Sequence, residues 1–258
     1  MAILPTQNNT PVTVKRDTRC FLRGIMGCFY RPHDIASCVS DICRYSMAPV
    51  KPLIIYLHGF NSSPESHKAQ TLQNYVQTHD LPCTLWIPEL PVWPGEAARM
   101  LLQHALEASV CRPVHIIGSS LGGYFGTWLM ESILDHCPDC PAKLVLINPT
   151  VRPYELLEKH LGPQTNYYSS QTYTLTQEHV DQLRHLETET LSRPDNILLL
   201  VQTGDEILDY RQAVARYAEC PTRIDEGGCH SFDDFEASIP VILQFFSTYY
   251  MLAASLSE

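Results

Sequence analysis

The chain has 258 residues, 45% hydrophobic and 18% charged, a balance that fits a single α/β domain with a full core and excludes a disordered acidic segment. Its 18 Lys and Arg against 28 Asp and Glu leave a net charge of −10, which argues against nucleic acid as a partner. No apolar run reaches membrane-spanning length, and the start MAILPTQNNTPVTVKRD lacks the continuous apolar stretch of a secretory signal, so we expect a cytoplasmic protein without a membrane partner.

Residues 1 to about 50 hold Cys20, Cys28, Cys38 and Cys43 among polar and basic residues without sustained periodicity, and read as an amino-terminal extension. From Lys51 the pattern becomes regular, and residues 51–258 read as one domain. The run LIIYL predicts a strand over Leu53–Leu57, followed by the turn His58-Gly59-Phe60 and a helix capped by Ser62 or Ser63, with Ala69, Leu72 and Val76 on its buried face. Cys83–Pro88 then reads as a strand, Gly95–Ser109 as a helix and Val114–Gly118 as a strand. A helix follows Ser120, and Lys143–Asn148, Asn196–Gly204 and Thr222–Asp225 supply further strands before a closing helix in IPVILQFFSTYYML. Strand and helix in alternation predict a mainly parallel central sheet flanked by helices. The span of about 149–194 shows no strand signal and reads as a small helical cap over the strand ends; it carries Tyr154, Tyr167, Tyr168 and Tyr173.

The ten cysteines are scattered through a chain long enough to build its own core, and read as mostly reduced thiols. Cys137 and Cys140 form a C-x-x-C pair with no second pair to complete a zinc site, so we read a helix-end turn and expect no metal.

The informative segment is Gly118-Ser119-Ser120-Leu121-Gly122-Gly123, a G-x-S-x-G between an apolar strand and a helix. A serine there occupies a strained turn, and the helix behind it directs N–H groups at a developing oxyanion. The backbone N–H groups of Phe60 and Leu121 are the candidate oxyanion donors, and His58 is read as structural. Downstream, Asp205 closes the strand before Glu206, and His230 follows Gly227-Gly228, giving the order Ser, acid, His that such a fold requires. Asp209 is the rival acid and Glu206 a weaker one. The other histidines on regular elements, His115, His136 and His179, are assigned to packing or surface.

YLHGFNSSPESHKA, GSSLGGYFGT, NPTVRPYELLEKHLG, QTGDEILDYRQAVARY and EGGCHSFDDF together resemble the YqiA-type esterases, a family of small bacterial α/β-hydrolases, over about residues 52–247. The resemblance implies the α/β-hydrolase fold, carboxylic-ester hydrolysis without a cofactor or metal, and a triad at Ser120, Asp205 and His230. Members of the family generally begin near the HGF strand, and an acidic residue commonly stands where this chain has Cys229. The expected activity is therefore that of a serine esterase working through an acyl-enzyme on a small-molecule ester. Acyl thioester hydrolysis and non-catalytic binding of a small ligand are the alternatives, with Lys68 and Arg152 as the basic residues nearest the expected site. Oligomeric state is left open.

Overall fold

A computed structural model describes residues 50–255, and the amino-terminal extension expected over residues 1 to about 50 lies almost wholly outside the described residues. Six strands form one all-parallel sheet in the order β2-β1-β3-β4-β7-β8: β1 Leu53–Leu57, β2 Thr84–Trp86, β3 Val114–Ser119, β4 Lys143–Ile147, β7 Ile197–Gln202 and β8 Thr222–Asp225. Every residue of β1, β3, β4 and β7 is buried, which is why these strands read as near-continuous apolar runs: a parallel sheet covered on both faces has no solvent side to alternate toward.

On one face, Ile54, Tyr56, Ile117, Val145, Ile147, Leu198 and Leu200 pack with Ala69 and Leu72 of α1 (His67–Thr78) and with Phe235, Ile239, Ile242 and Phe246 of α7 (Phe235–Ser255). On the other lie α2 (Pro94–Ser109) and α3 (Leu121–His136). α3 is buried nearly all round, and it approaches the sheet so closely that a Cβ on Gly126 would touch Leu144 and Ile116 at 3.0 and 3.2 Å.

Three sequence expectations are corrected. Neither Ser62 nor Ser63 caps α1; its N-cap is Ser66, and the Ser63 hydroxyl instead accepts the Glu65 N–H inside the preceding turn. The last helix starts at Phe235, not Ile239, and so carries Pro240 inside it, where the missing N–H leaves Glu236 O without its helical donor. The cap is not purely helical: α4 (Pro153–Leu157) leads into an antiparallel hairpin, β5 (Gly162–Thr165) with β6 (Thr172–Leu175), and then α5 (Gln177–His185). α6 (Tyr210–Arg216) and two short 3-10 turns, Glu158–His160 and Pro194–Asn196, complete the described elements. Among the described residues no helix is long and apolar enough to cross a membrane.

Candidate active site

Because the strands run parallel, their carboxyl ends share one edge, and the residues just beyond β1, β3, β4 and β7 converge there. Ser120 follows β3 with φ 55° and ψ −121°, a conformation that L-residues resist. Hydrogen bonds impose it: the Ser120 N–H donates to Ile147 O, and Ser120 O accepts from Gly123 and Thr150 N–H groups. The glycines around it are sterically required. A Cβ on Gly122 would lie 2.0 Å from Leu57 O, and one on Gly118 would lie 2.4 Å from Gly122 O.

The structure brings Ser120, His230 and Asp205 into one line. His230 Nε2 lies 3.1 Å from Ser120 Oγ, and His230 Nδ1 lies 2.8 and 3.0 Å from Asp205 Oδ2 and Oδ1. The Asp205 side chain is only 2% exposed and that of His230 23%, so the pair faces the site from a largely dry position. Burial would raise the Asp205 pKa, but the hydrogen bond from His230 and the N–H groups of Leu208 and Ile207 outweigh it and hold the carboxyl below its ordinary value.

The rival acids are occupied elsewhere. Asp209 caps α6 by accepting the Arg211 N–H and pairs with the Arg211 guanidinium. Glu206 accepts the backbone N–H of His230 at 3.0 Å and so holds the loop, not the ring. His58 is buried with Nδ1 against Gly59 O, and burial lowers its pKa. His115 stacks on Phe246, His136 closes α3 on Ser132 O, and His179 completes a capping box with Thr176 at the start of α5.

Gly59 abuts the serine, since a Cβ there would stand 3.3 Å from Ser120 Cβ. Phe60 and Leu121, on either side of that contact, line one cavity of about 70 Å³, and Leu121, as the first residue of α3, has an N–H with no acceptor inside its helix. Phe125, Leu157, Leu175 and Leu183 form the apolar wall of the cavity.

The two basic residues expected near the site turn to the protein itself. Lys68 donates to Ser231 O at 2.8 Å, and burial lowers its pKa to about 8 despite the opposing charges of Cys229 and Asp205. Arg152 pairs with Glu155. The Cys229 thiol donates to Asp233, which raises its pKa. Cys137 and Cys140 close a turn after α3, with the Cys140 N–H on Cys137 O, and burial pushes the Cys140 thiol up to about 11. Among the described residues no group of three or more His, Cys, Asp or Glu is placed to hold a metal ion.

The sequence reading missed Asn148 and Gln202. Both are buried, and both reach from strand ends into the histidine loop. Their one visible signal is an amide at the end of an apolar strand.

An all-parallel sheet with a serine elbow after its third strand, an acid after β7 and a histidine after β8 defines the α/β-hydrolase fold. The chain belongs to the uncharacterised protein family UPF0227, whose model matches residues 53–247, the family of YqiA-like proteins that its motifs resemble. Solved structures share the fold at low identity. The esterase domain of a Rhodothermus marinus protein matches with TM-score 0.56 and 16% identity, over 79% of this chain and 88% of that one. The monoacylglycerol lipase of Paleococcus ferrophilus matches with TM-score 0.56 and 14% identity, over 76% and 96%. Est1E from Butyrivibrio proteoclasticus matches with TM-score 0.55 and 14% identity, over 81% and 90%.

Proposed function

We propose that this protein is a serine esterase that hydrolyses small carboxylic esters through an acyl-enzyme. The observation that carries the reading is the continuous hydrogen-bonded line from Ser120 through His230 to Asp205. In the productive tautomer, His230 Nδ1–H donates to Asp205 and Nε2 accepts from the Ser120 hydroxyl. Ser120 Oγ attacks the ester carbonyl carbon as its proton passes to Nε2, and the oxyanion is met by the N–H groups of Phe60 and Leu121. Collapse expels the alcohol, which takes the proton from His230. Water then attacks the acyl-enzyme by the same route, releasing the acid and restoring Ser120. Asp205 stays ionised throughout, in keeping with its lowered pKa.

A neutral ester suits the site better than an acyl-coenzyme A. Lys68, which could have met its phosphates, donates to Ser231 O, and the charge of Arg152 is offset in part by Glu155. The neighbouring esterases and lipase named above are consistent with ester chemistry on this fold. The test is labelling with a fluorophosphonate followed by peptide mapping. We expect the label at Ser120, and no label and no ester turnover in a folded Ser120→Ala variant. An unlabelled wild-type serine in a protein without turnover on short aryl esters would overturn the reading.

A further inference from the structure

The histidine loop has an unusual support. Between β8 and α7 the chain runs through left-handed backbone at Gly227, Gly228, Phe232 and Asp234, so it forms no regular hydrogen-bonding ladder of its own. Side chains from neighbouring strand ends bond it instead. Gln202, at the end of β7 and 5% exposed, accepts the N–H of Cys229 at 3.1 Å and of Asp233 at 2.8 Å on Oε1, and donates Nε2–H to Asp233 O at 3.0 Å. Asn148, just past β4 and 3% exposed, donates Nδ2–H to Cys229 O at 3.0 Å and to His230 O at 3.4 Å.

The two amides are also joined to each other, since Asn148 Oδ1 accepts the backbone N–H of Gln202 at 3.0 Å. Every polar side-chain atom of the pair is thus engaged, and all but that one bond go to the loop. The fit is tight: a Cβ on Gly228 would lie 2.1 Å from Gln202 Oε1, so only glycine lets the loop lie down on the amide.

We propose that Asn148 and Gln202 are positioning residues of the reaction: a buried amide platform that sets the His230 ring between Ser120 and Asp205. Neither touches the reacting atoms. They act through the backbone of residues 229–233, whose displacement by a fraction of an ångström would lengthen one of the two ring contacts at the expense of the other. The proposal rests on the esterase reading for its kinetic consequence, though the platform itself has a readout that does not depend on turnover.

The test uses Asn148→Asp and Gln202→Glu, each nearly isosteric. The aspartate still accepts the Gln202 N–H but sets a carboxylate oxygen against the carbonyls of Cys229 and His230. The glutamate keeps both accepted N–H groups and loses the donor to Asp233 O. Each variant should lower kcat by about ten- to a hundredfold. KM should stay within about twofold of wild type, because the substrate cavity is lined by the loops after β1 and β2, α3 and the cap and by neither amide.

In parallel, the far-downfield proton resonance of the His230 Nδ1–H···Asp205 bond should persist in Ser120→Ala and be lost or displaced in the two amide variants. A wild-type protein without turnover that shows this pattern of resonances keeps the platform and removes the esterase reading. Folded amide variants with wild-type kcat and an unmoved resonance overturn the platform. If neither amide variant folds, hydrogen exchange in the unaltered protein decides: slow exchange of the Cys229 and Asp233 N–H protons supports it, and fast exchange at both overturns it.

Discussion

Asp205 and Asp209 are separated by one turn of chain, yet their surroundings set them to different work. Asp205 is dry, accepts two backbone N–H groups and meets the imidazole, while Asp209 lies at the surface as a helix cap. Asp205→Asn should therefore reduce kcat by about 10⁴-fold with little loss of stability, since an amide in that place favours the wrong histidine tautomer. Asp209→Ala should do the reverse, costing about 1 kcal/mol of stability in a urea titration and leaving kcat within about twofold. Comparable losses of kcat in both variants would contradict this division. Ser120 was legible in the sequence because a strained serine needs small neighbours, and Gly118, Gly122 and Gly123 supply them in text. Asp205 was legible as a strand-end acid, but not by that alone distinct from Glu206, because only the turn that closes on Ile207 and Leu208 decides which carboxylate faces the ring. Asn148 and Gln202 were illegible: an amide closing an apolar strand looks like any strand end until the loop that it holds is in place.

At the scale of elements, the hairpin β5–β6 is where pattern reading failed. GPQT holds a glycine and a proline and gives no strand signal, whereas TYTL alternates Thr with Tyr and Leu, a signal too short at four residues to stand out without its partner. The hairpin is stabilised from outside, by the loop that follows β1. Tyr173 Oη donates to Asn61 Oδ1 at 2.8 Å, Asn61 Nδ2 donates to Gln164 Oε1 at 3.1 Å, and Asn166 Nδ2 donates to Ser62 O at 2.9 Å. Tyr173→Phe removes one such bond, worth about 1 kcal/mol, and should raise KM about fivefold for a short ester with kcat nearly unchanged. An unchanged KM would mean that the hairpin does not shape the substrate cavity.

Within β3, a histidine occupies a position that a parallel strand ordinarily gives to an aliphatic residue. Burial above all, and then the Lys143 charge, hold His115 down to about 3. An unfolded histidine binds its proton near pH 6.5, so this residue's contribution to stability is full above that value and is lost progressively as pH falls toward about 3. Urea titrations between pH 7 and pH 4 should show stability falling less steeply in His115→Leu, by up to about 1.4 kcal/mol per pH unit. Equal slopes in the two proteins would show that His115 keeps an ordinary affinity for protons.

For the whole molecule, under the esterase reading, the cavity lined by Phe60 and Leu121 would limit which esters react. A space of about 70 Å³ walled by Phe125, Leu157, Leu175 and Leu183 suits an acyl group of only a few carbons. Leu183→Ala, at a cost of about 2–5 kcal/mol in stability, should shift the optimum of kcat/KM toward longer acyl chains in a series of aryl esters. An unshifted optimum would move the acyl group to another part of the cleft. The parallel sheet follows from alternation that the sequence shows plainly; the strand order and the volume left over the strand ends do not, since they depend on how the crossovers and the cap dock.

Strands β4 and β7 are hydrogen-bonded neighbours, from Leu144 against Ile197 to Ile147 against Leu200, yet the whole cap intervenes between them in the chain. The cap is therefore a single excursion whose two ends leave and rejoin the sheet side by side. Its residues can be lengthened, shortened or exchanged without altering a pairing of the six-stranded sheet, provided that Asn148 and the Thr150 N–H on Ser120 O are kept. Part of the cavity wall, including Leu157, Leu175 and Leu183, is thus carried on a stretch of chain that holds none of Ser120, Asp205 and His230. A lineage that rewrites residues 151–196 alters that wall and leaves the strand ends in place, and a chimera that carries a relative's cap between those limits should shift toward the relative's preferences.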